Sequence, residues 1–128
     1  MADPDPHVGI RQVLAEYEED LSCPICCDIV AAAYMSNPCG HTFCGNCAWV
    51  WVSKNRRTPT CAVCRANLVP SSPLIPNIAI DHTVEKHISA LVQSGSEDWL
   101  PEGAAFTEWM RRKESGKSVV SNHLANCR

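Results

Sequence analysis

The sequence contains no long apolar run. Among its 128 residues, no stretch approaches the roughly 18 consecutive apolar residues that a membrane-spanning helix needs. Residues 1–7 are acidic and polar and lack the basic start and apolar stretch of a secretory signal. No internal repeat and no basic stripe are visible, and the formal net charge of −3 disfavours nucleic-acid binding. We therefore expect a cytoplasmic or nuclear protein with no membrane partner.

The nine cysteines are the most informative feature. Eight candidate metal ligands follow the spacing C-x2-C-x12-C-x-H-x2-C-x2-C-x13-C-x2-C: Cys23, Cys26, Cys39, His41, Cys44, Cys47, Cys61 and Cys64. Tetrahedral zinc bonds of about 2.3 Å hold two thiolate sulfurs about 3.8 Å apart, and a C-x2-C turn can present them so. Disulfides are the alternative, but a reducing compartment favours metal. The four close pairs therefore predict two structural zinc ions, each with four protein ligands.

Three local motifs in this segment resemble those of the RING finger of ubiquitin ligases. They are Cys23-Pro24-Ile25-Cys26, Cys39-Gly40-His41-Thr42-Phe43-Cys44 and Cys61-Ala62-Val63-Cys64-Arg65. The resemblance covers residues 22–68 and implies a small zinc-stabilised α+β fold. That fold is a cross-brace RING domain with a short β-hairpin and one short helix, flanked here by N- and C-terminal amphipathic helices.

Ligand pairs interleave in this family. The resemblance thus implies one site of Cys23, Cys26, Cys44 and Cys47, and a second of Cys39, His41, Cys61 and Cys64. Spacing alone leaves two fingers in series open, since these would group the same ligands differently. A PHD finger is the nearest other family, although its histidine usually comes fifth among the ligands and here it is fourth.

The resemblance implies a RING-type ubiquitin-protein ligase whose partners are a ubiquitin-conjugating enzyme, ubiquitin and an unknown substrate protein. It assigns Ile25 and Trp51 to the platform for the conjugating enzyme. It assigns Arg65, directly after the last ligand, to the linchpin position that bridges the conjugating enzyme and ubiquitin. Ala62, also on the partner surface, stands where the family often has proline, so partner choice is expected to be weaker or different.

Other interpretations remain open at this stage. Ile25 and Trp51 could belong to the domain core, and Arg65 could be a solvated side chain. The whole chain could be a RING-shaped zinc-binding adaptor without ligase activity, which Ala62 favours and Arg65 opposes. A zinc-dependent nucleic-acid binder is a third reading, which the acidic charge disfavours. Zinc ions closed by four protein ligands exclude metal-catalysed hydrolysis.

Apolar side chains in residues 8–21 fall on one face of a predicted flanking helix: Ile10, Val13, Leu14, Tyr17 and Leu21. We expect this face to pack on the RING or on a later helix; the alternative is a homodimer through the flanking helices. Residues 1–7 are expected to be a disordered N-terminus.

Within the RING segment, residues 29–35 predict a short extended stretch. Phe43 is expected in the core, and Trp49 and Val50 are expected to pack inward or against a flanking helix. Cys27 breaks the pair spacing and is interpreted as a bystander thiol; the alternative, that it replaces Cys26 as a ligand, needs a loop of three intervening residues.

The rest of the chain predicts one linker and two more helices. Residues 69–78, rich in Pro and Ser, are interpreted as a linker, and residues 79–94 as a second flanking helix that pairs with the first. Its His82 and His87 are expected on the surface. The C-terminal extension, residues 95–128, is predicted to contain a short amphipathic helix within 99–114 with a basic end. A docking helix for another protein is the alternative, and a basic nucleic-acid patch is the third. His123 and Cys127 are interpreted as tail residues rather than a third zinc site.

Overall fold

The structure is a computed structural model that describes residues 8–126, with side chains for residues 9–116. The predictions for residues 1–7 and for Cys127 fall outside the described residues, as does the one for the side chain of His123. In the described part of the chain, no helix combines the length and the apolar character needed to cross a membrane.

The described residues form a small α+β fold. Its elements in chain order are α1 (Val8–Asp20), β1 (Ala33–Ser36), β2 (Thr42–Cys44), α2 (Gly45–Ser53), β3 (Leu74–Pro76), α3 (Ile78–Gln93), a 3₁₀ turn (Glu97–Trp99) and α4 (Ala104–Asn126). β1 and β2 are the predicted hairpin, and α2 is the short helix that the resemblance implied. The predicted fold class is therefore confirmed.

The sheet has a third strand that the sequence did not predict. Its order is β2-β1-β3, with both neighbours antiparallel to β1. β3 lies within residues 69–78, so reading that segment as a linker without regular structure was wrong in part. Met35 of β1 pairs with Ile75, and Leu74 is buried. Pro76 is tolerated because β3 is an edge strand, where a missing backbone donor costs no ladder bond.

The core of the zinc-binding region lies under β2 and α2. Phe43 is buried as predicted, and the buried Trp49 packs edge-on against Tyr34, with ring centroids 5.9 Å apart. Val50, however, is exposed, so its predicted inward packing was wrong. Trp49 and Val52 are three residues apart and share the inner face of α2, which turns Val50 outward.

α1 packs against α3, the partner that was predicted for it. Leu14, Tyr17 and Leu21 line the groove between the two helices. Tyr17 is nevertheless largely exposed, as are Ile10 and Val13. Homodimerisation through this stripe stays a prediction.

The prediction that His87 lies on the surface was wrong, because the residue is only 5% exposed. It lies in α3 directly before the buried Ile88, and its Nε2 is 3.7 Å from Glu18 Oε2 of α1. The packing of α1 over α3 thus covers a residue that the sequence pattern places at the edge of the apolar face.

α4 is longer than predicted. Trp99 belongs to the 3₁₀ turn, and α4 begins at Ala104, inside the predicted region of 99–114, but it runs on to Asn126, so the prediction of a short helix that ends by residue 114 was wrong. α4 packs along α2. Gly116 permits this approach: a Cβ there would lie 3.2 Å from Ala32 Cβ and 3.4 Å from the backbone nitrogen of Asn46. A glycine inside a helix is costly by itself, and here the close packing explains it.

Candidate zinc centres and partner surface

Two turns of the same shape carry the first and last ligand pairs. In the first, the backbone N–H of Cys27 donates to the Cys23 carbonyl at 2.8 Å. In the last, the backbone N–H of Arg65 donates to the Cys61 carbonyl at 3.0 Å. Cys27 and Arg65 both have positive φ angles, of 65° and 61°. A left-handed residue after the second cysteine therefore closes each turn around its pair of sulfurs.

The first ligand group joins the first turn to the end of β2 and the start of α2. The sulfur atoms of Cys23, Cys26, Cys44 and Cys47 all lie within 4.8 Å of one another. Cys26 Sγ and Cys44 Sγ are 3.7 Å apart, close to the separation of about 3.8 Å across a tetrahedral zinc ion. Hydrogen bonds from the Cys44 and Cys47 thiols lower the pKa of Cys23, while the same shared hydrogen bonding raises the pKa of Cys44.

The second ligand group joins the β1–β2 hairpin to the last turn. It contains Cys39, His41, Cys61 and Cys64, whose donor atoms also lie within 4.8 Å of one another, with Cys61 Sγ 3.4 Å from His41 Nδ1. Burial raises the pKa of Cys61, but hydrogen bonds from the backbone of Cys64 and Val63 and from the side chains of Ser36 and Cys39 together outweigh it and lower the pKa to about 6. Burial raises the pKa of Cys39.

The two groups fit two zinc ions. Each offers four soft or borderline donors, at spacings that match tetrahedral coordination. The members are those that the resemblance implied, and the grouping of Cys23 with Cys44 excludes two fingers in series. Because all four donors of each group are protein side chains, these zinc ions are structural. Cys27 is exposed and stands outside both groups.

An exposed patch lies beside the second group. The indole Nε1 of Trp51 donates to the Thr60 carbonyl at 2.8 Å, which fixes the half-buried ring. The guanidinium carbon of Arg65 lies 4.9 Å from the centroid of this ring, and Lys54 Nζ lies 5.5 Å from it. A guanidinium at this range over an indole gains a cation–π attraction that limits where the side chain points.

The family comparison agrees with this geometry. Residues 22–61 match the family model described as a zinc finger of the C3HC4 type, or RING finger. The chain carries a RING finger. The match contains seven of the eight ligands, and the eighth, Cys64, lies three residues beyond its end.

The curated proteins to which the chain is similar include two E3 ubiquitin-protein ligases and a tripartite motif-containing protein. The chain is 34% identical over 87 residues to the mouse E3 ubiquitin-protein ligase RNF135, covering 62% of this chain and 21% of that one. It is 32% identical over 78 residues to tripartite motif-containing protein 5 of Erythrocebus patas, covering 58% and 15%. It is 32% identical over 71 residues to the E3 ubiquitin-protein ligase COP1 of Arabidopsis thaliana, covering 56% and 10%. The chain thus spans about a fifth or less of each relative.

Among solved structures, the chain is similar to the solution structure of the RING finger-like domain of Retinoblastoma Binding Protein-6. The two share 26% sequence identity at a TM-score of 0.49, over 65% of this chain and 86% of that one.

The other residues that the resemblance assigned to the partner surface differ in solvent exposure. Ile25, in the first turn, is 41% exposed. Ala62 is partly buried and packs against the core. Sequence reasoning overlooked Val63, which is 47% exposed. A signal for it was present, because Val63 directly precedes Cys64 as Ile25 directly precedes Cys26, and the two turns have the same shape.

Sequence reasoning also overlooked the role of α4 at the first zinc site. Trp109 Nε1 donates to the Val30 carbonyl at 3.0 Å. One turn later, Arg112 Nη1 donates to the Ile29 carbonyl at 2.8 Å and lies 3.4 Å from Cys44 Sγ. The sequence shows Trp109 and Arg112 three residues apart, hence on one helix face, but nothing in it shows which surface that face covers.

Proposed function

We propose that this chain is a RING-type ubiquitin-protein ligase, acting in the cytoplasm or nucleus. It binds a ubiquitin-charged conjugating enzyme and promotes transfer of ubiquitin to substrate lysines. The names of the relatives RNF135 and COP1 support this class of activity. The observation that carries the proposal is the position of Arg65, stacked 4.9 Å over the ring of Trp51 beside the second zinc site.

The chemistry of the zinc sites limits the mechanism. A zinc ion with four protein ligands has no open position for water, and ligating thiolates are not free nucleophiles. Rate acceleration must therefore come from holding the charged conjugating enzyme and its ubiquitin in a reactive arrangement. Such an effect requires a rigid docking surface and a donor that contacts both bound proteins.

The docking surface is apolar and rigidly supported. Ile25 and Val63 are exposed at equivalent positions of the two zinc-binding turns, where the metal ions fix the backbone. Trp51 is held by its hydrogen bond to the Thr60 carbonyl. Exposed apolar side chains on a rigid frame lose little conformational entropy on binding, as a partner site requires. Ala62 packs inward and contributes less contact area than a proline would.

Arg65 is suited to bridge two partners. Its backbone is fixed by the turn, and its guanidinium presents a planar fork of donors that can bond two proteins at once. Stacking on Trp51 keeps this fork next to the docking surface before any partner arrives. A lysine would offer a point charge without the fork.

The test is single-turnover discharge of ubiquitin from charged conjugating enzymes, with binding of the uncharged enzymes measured in parallel. Arg65→Ala should slow discharge by about tenfold or more, or about 1.4 kcal/mol of barrier, while binding of the uncharged enzyme stays near wild type. Ile25→Ala should weaken that binding itself. Arg65→Lys should recover part of the rate, and Arg56→Ala, an exposed arginine of the α2–β3 loop, is the matched control.

Equal discharge by wild type and Arg65→Ala, both faster than the reaction without RING protein, would refute the bridging role of Arg65. If the wild-type chain accelerates discharge from no member of a broad panel of conjugating enzymes, the adaptor function replaces the ligase. Loss of zinc from Ile25→Ala would assign Ile25 to the domain core.

A further inference from the structure

We propose that Arg112 of the C-terminal helix stabilises the first zinc site, because its cation hydrogen-bonds the ligating sulfur of Cys44 and offsets the charge of that site. The proposal assigns a role to the C-terminal extension. It rests on the zinc sites alone and holds whether or not the chain is a ligase.

The geometry gives the guanidinium two acceptors at once. Arg112 Nη1 lies 2.8 Å from the Ile29 carbonyl oxygen and 3.4 Å from Cys44 Sγ. Its Nε is buried and, within the described part of the chain, has no hydrogen-bond partner. One turn earlier, Trp109 Nε1 holds the Val30 carbonyl at 3.0 Å. α4 therefore donates hydrogen bonds to the carbonyls of two consecutive residues and places Arg112 beside the metal ligand Cys44.

The charge of the two sites differs. Four thiolates around Zn²⁺ carry a net charge of −2, whereas the second site, with three thiolates and a histidine, carries −1. Cys44 is buried and already accepts from the backbone N–H of Ala31 at 3.4 Å. A buried site of higher negative charge gains most from a nearby cation, and the guanidinium of Arg112 supplies one.

Arg111 shows that contact with the first zinc site is specific to Arg112 and is not shared by its basic neighbour. It is 63% exposed and its Nε donates to Glu108 at 3.0 Å, on the same helix. The two arginines are adjacent in sequence yet point to different surroundings. Arg111 is therefore the matched control for both charge and helix propensity.

The experiment uses the full chain loaded with ¹¹³Cd²⁺, whose NMR shift distinguishes a four-sulfur site from a three-sulfur, one-nitrogen site. Chelator competition followed by NMR then gives the affinity of each site separately. Arg112→Met should weaken the first site by about 10- to 100-fold, as losing a hydrogen bond to a metal ligand commonly does, and leave the second within about twofold. The resonance of the first site should also shift, because its sulfur loses a donor. Arg111→Met should change neither site.

Two further variants separate a direct effect from loss of helix docking. Arg112→Lys keeps a cation without the fork and should give an intermediate loss at the first site. Trp109→Phe removes the hydrogen bond to Val30 and loosens α4 without touching the charge, and it should weaken the first site less than Arg112→Met does. If Arg112→Met leaves the first site within about twofold of wild type, or weakens both sites alike, the proposal is overturned. Equal losses for Trp109→Phe and Arg112→Met would also overturn it, because docking alone would then explain the effect.

Discussion

Replacing Trp109 by alanine should destabilise the protein more than any change on the outer face of α4. The side chain is 5% exposed, belongs to the same core as Val30 and Ile88, and donates to the Val30 carbonyl. Truncating a buried tryptophan to alanine commonly costs about 3–5 kcal/mol through lost burial and the cavity left behind. Trp109→Phe keeps most of the apolar contact but leaves a buried carbonyl without its donor, which costs about 1–3 kcal/mol.

The measurement is guanidinium-induced unfolding at a fixed free zinc concentration, followed by far-UV circular dichroism. Free zinc must be held constant because metal binding contributes to the measured free energy of unfolding. Met110→Ala is the control, since Met110 neighbours Trp109 on α4 but is 36% exposed. A loss below about 1 kcal/mol for Trp109→Ala, or an equal loss for Met110→Ala, would refute the docking of α4 through Trp109.

Three further predictions concern the zinc-binding residues. Metal analysis of freshly purified, reduced protein should find two zinc ions per chain, and chelation should unfold the RING finger, because its sites do not persist without metal; one zinc ion or none would contradict this. Cys23→Ser should change the cobalt charge-transfer spectrum of the site that contains Cys44 and leave that of the site of Cys61 largely intact; the reverse would contradict the interleaved pairing. Cys27→Gly should keep both zinc ions and raise the free energy of unfolding by up to about 1 kcal/mol, since glycine adopts the positive φ of 65° without strain; loss of a zinc ion would make Cys27 a ligand.

The sequence predicted the features that local chemistry determines. Cysteine pairs at fixed spacing predicted two zinc ions, because a C-x2-C turn presents its sulfurs at the distance that zinc requires. The apolar periodicity of residues 8–21 and 79–94 predicted helices, and the structure has α1 and α3 there. Which pair shares a metal with which was available only through the resemblance to a family, since spacing does not encode pairing between distant turns.

Features that depend on distant contacts were missed or wrong. β3 forms because residues 74–76 pair with β1, which is distant in sequence, whereas Pro76 and the preceding Pro73 favour an irregular segment when only the local sequence is considered. The burial of His87 depends on α1 lying over α3, and the local sequence does not show that α4 packs along α2. Val50 was assigned inward although the inner face of α2 is set by Trp49 and Val52. In each case the pairing or burial of the residues is set by an element that is distant in sequence, and the local sequence does not show which element that is.

The flanking helices contribute buried side chains and hydrogen bonds to the RING finger. A segment with two zinc ions and strands of only three or four residues buries too little apolar surface to be stable without metal. Here α3 contributes Val84 and Ile88, and α4 contributes Trp109, to the same buried cluster as the ligands Cys23 and Cys44. Each of these helices also satisfies backbone polar groups of the RING finger. Asp81 of α3 accepts from the backbone N–H of Ala33 at 2.7 Å, and α4 donates hydrogen bonds to the carbonyls of Ile29 and Val30. Because buried backbone groups left without partners are costly, the helices and the metal ions stabilise one folding unit. The docking surface that we propose, formed by Ile25, Trp51 and Val63, belongs to the zinc-binding turns and α2, so the flanking helices can support its rigidity without covering it.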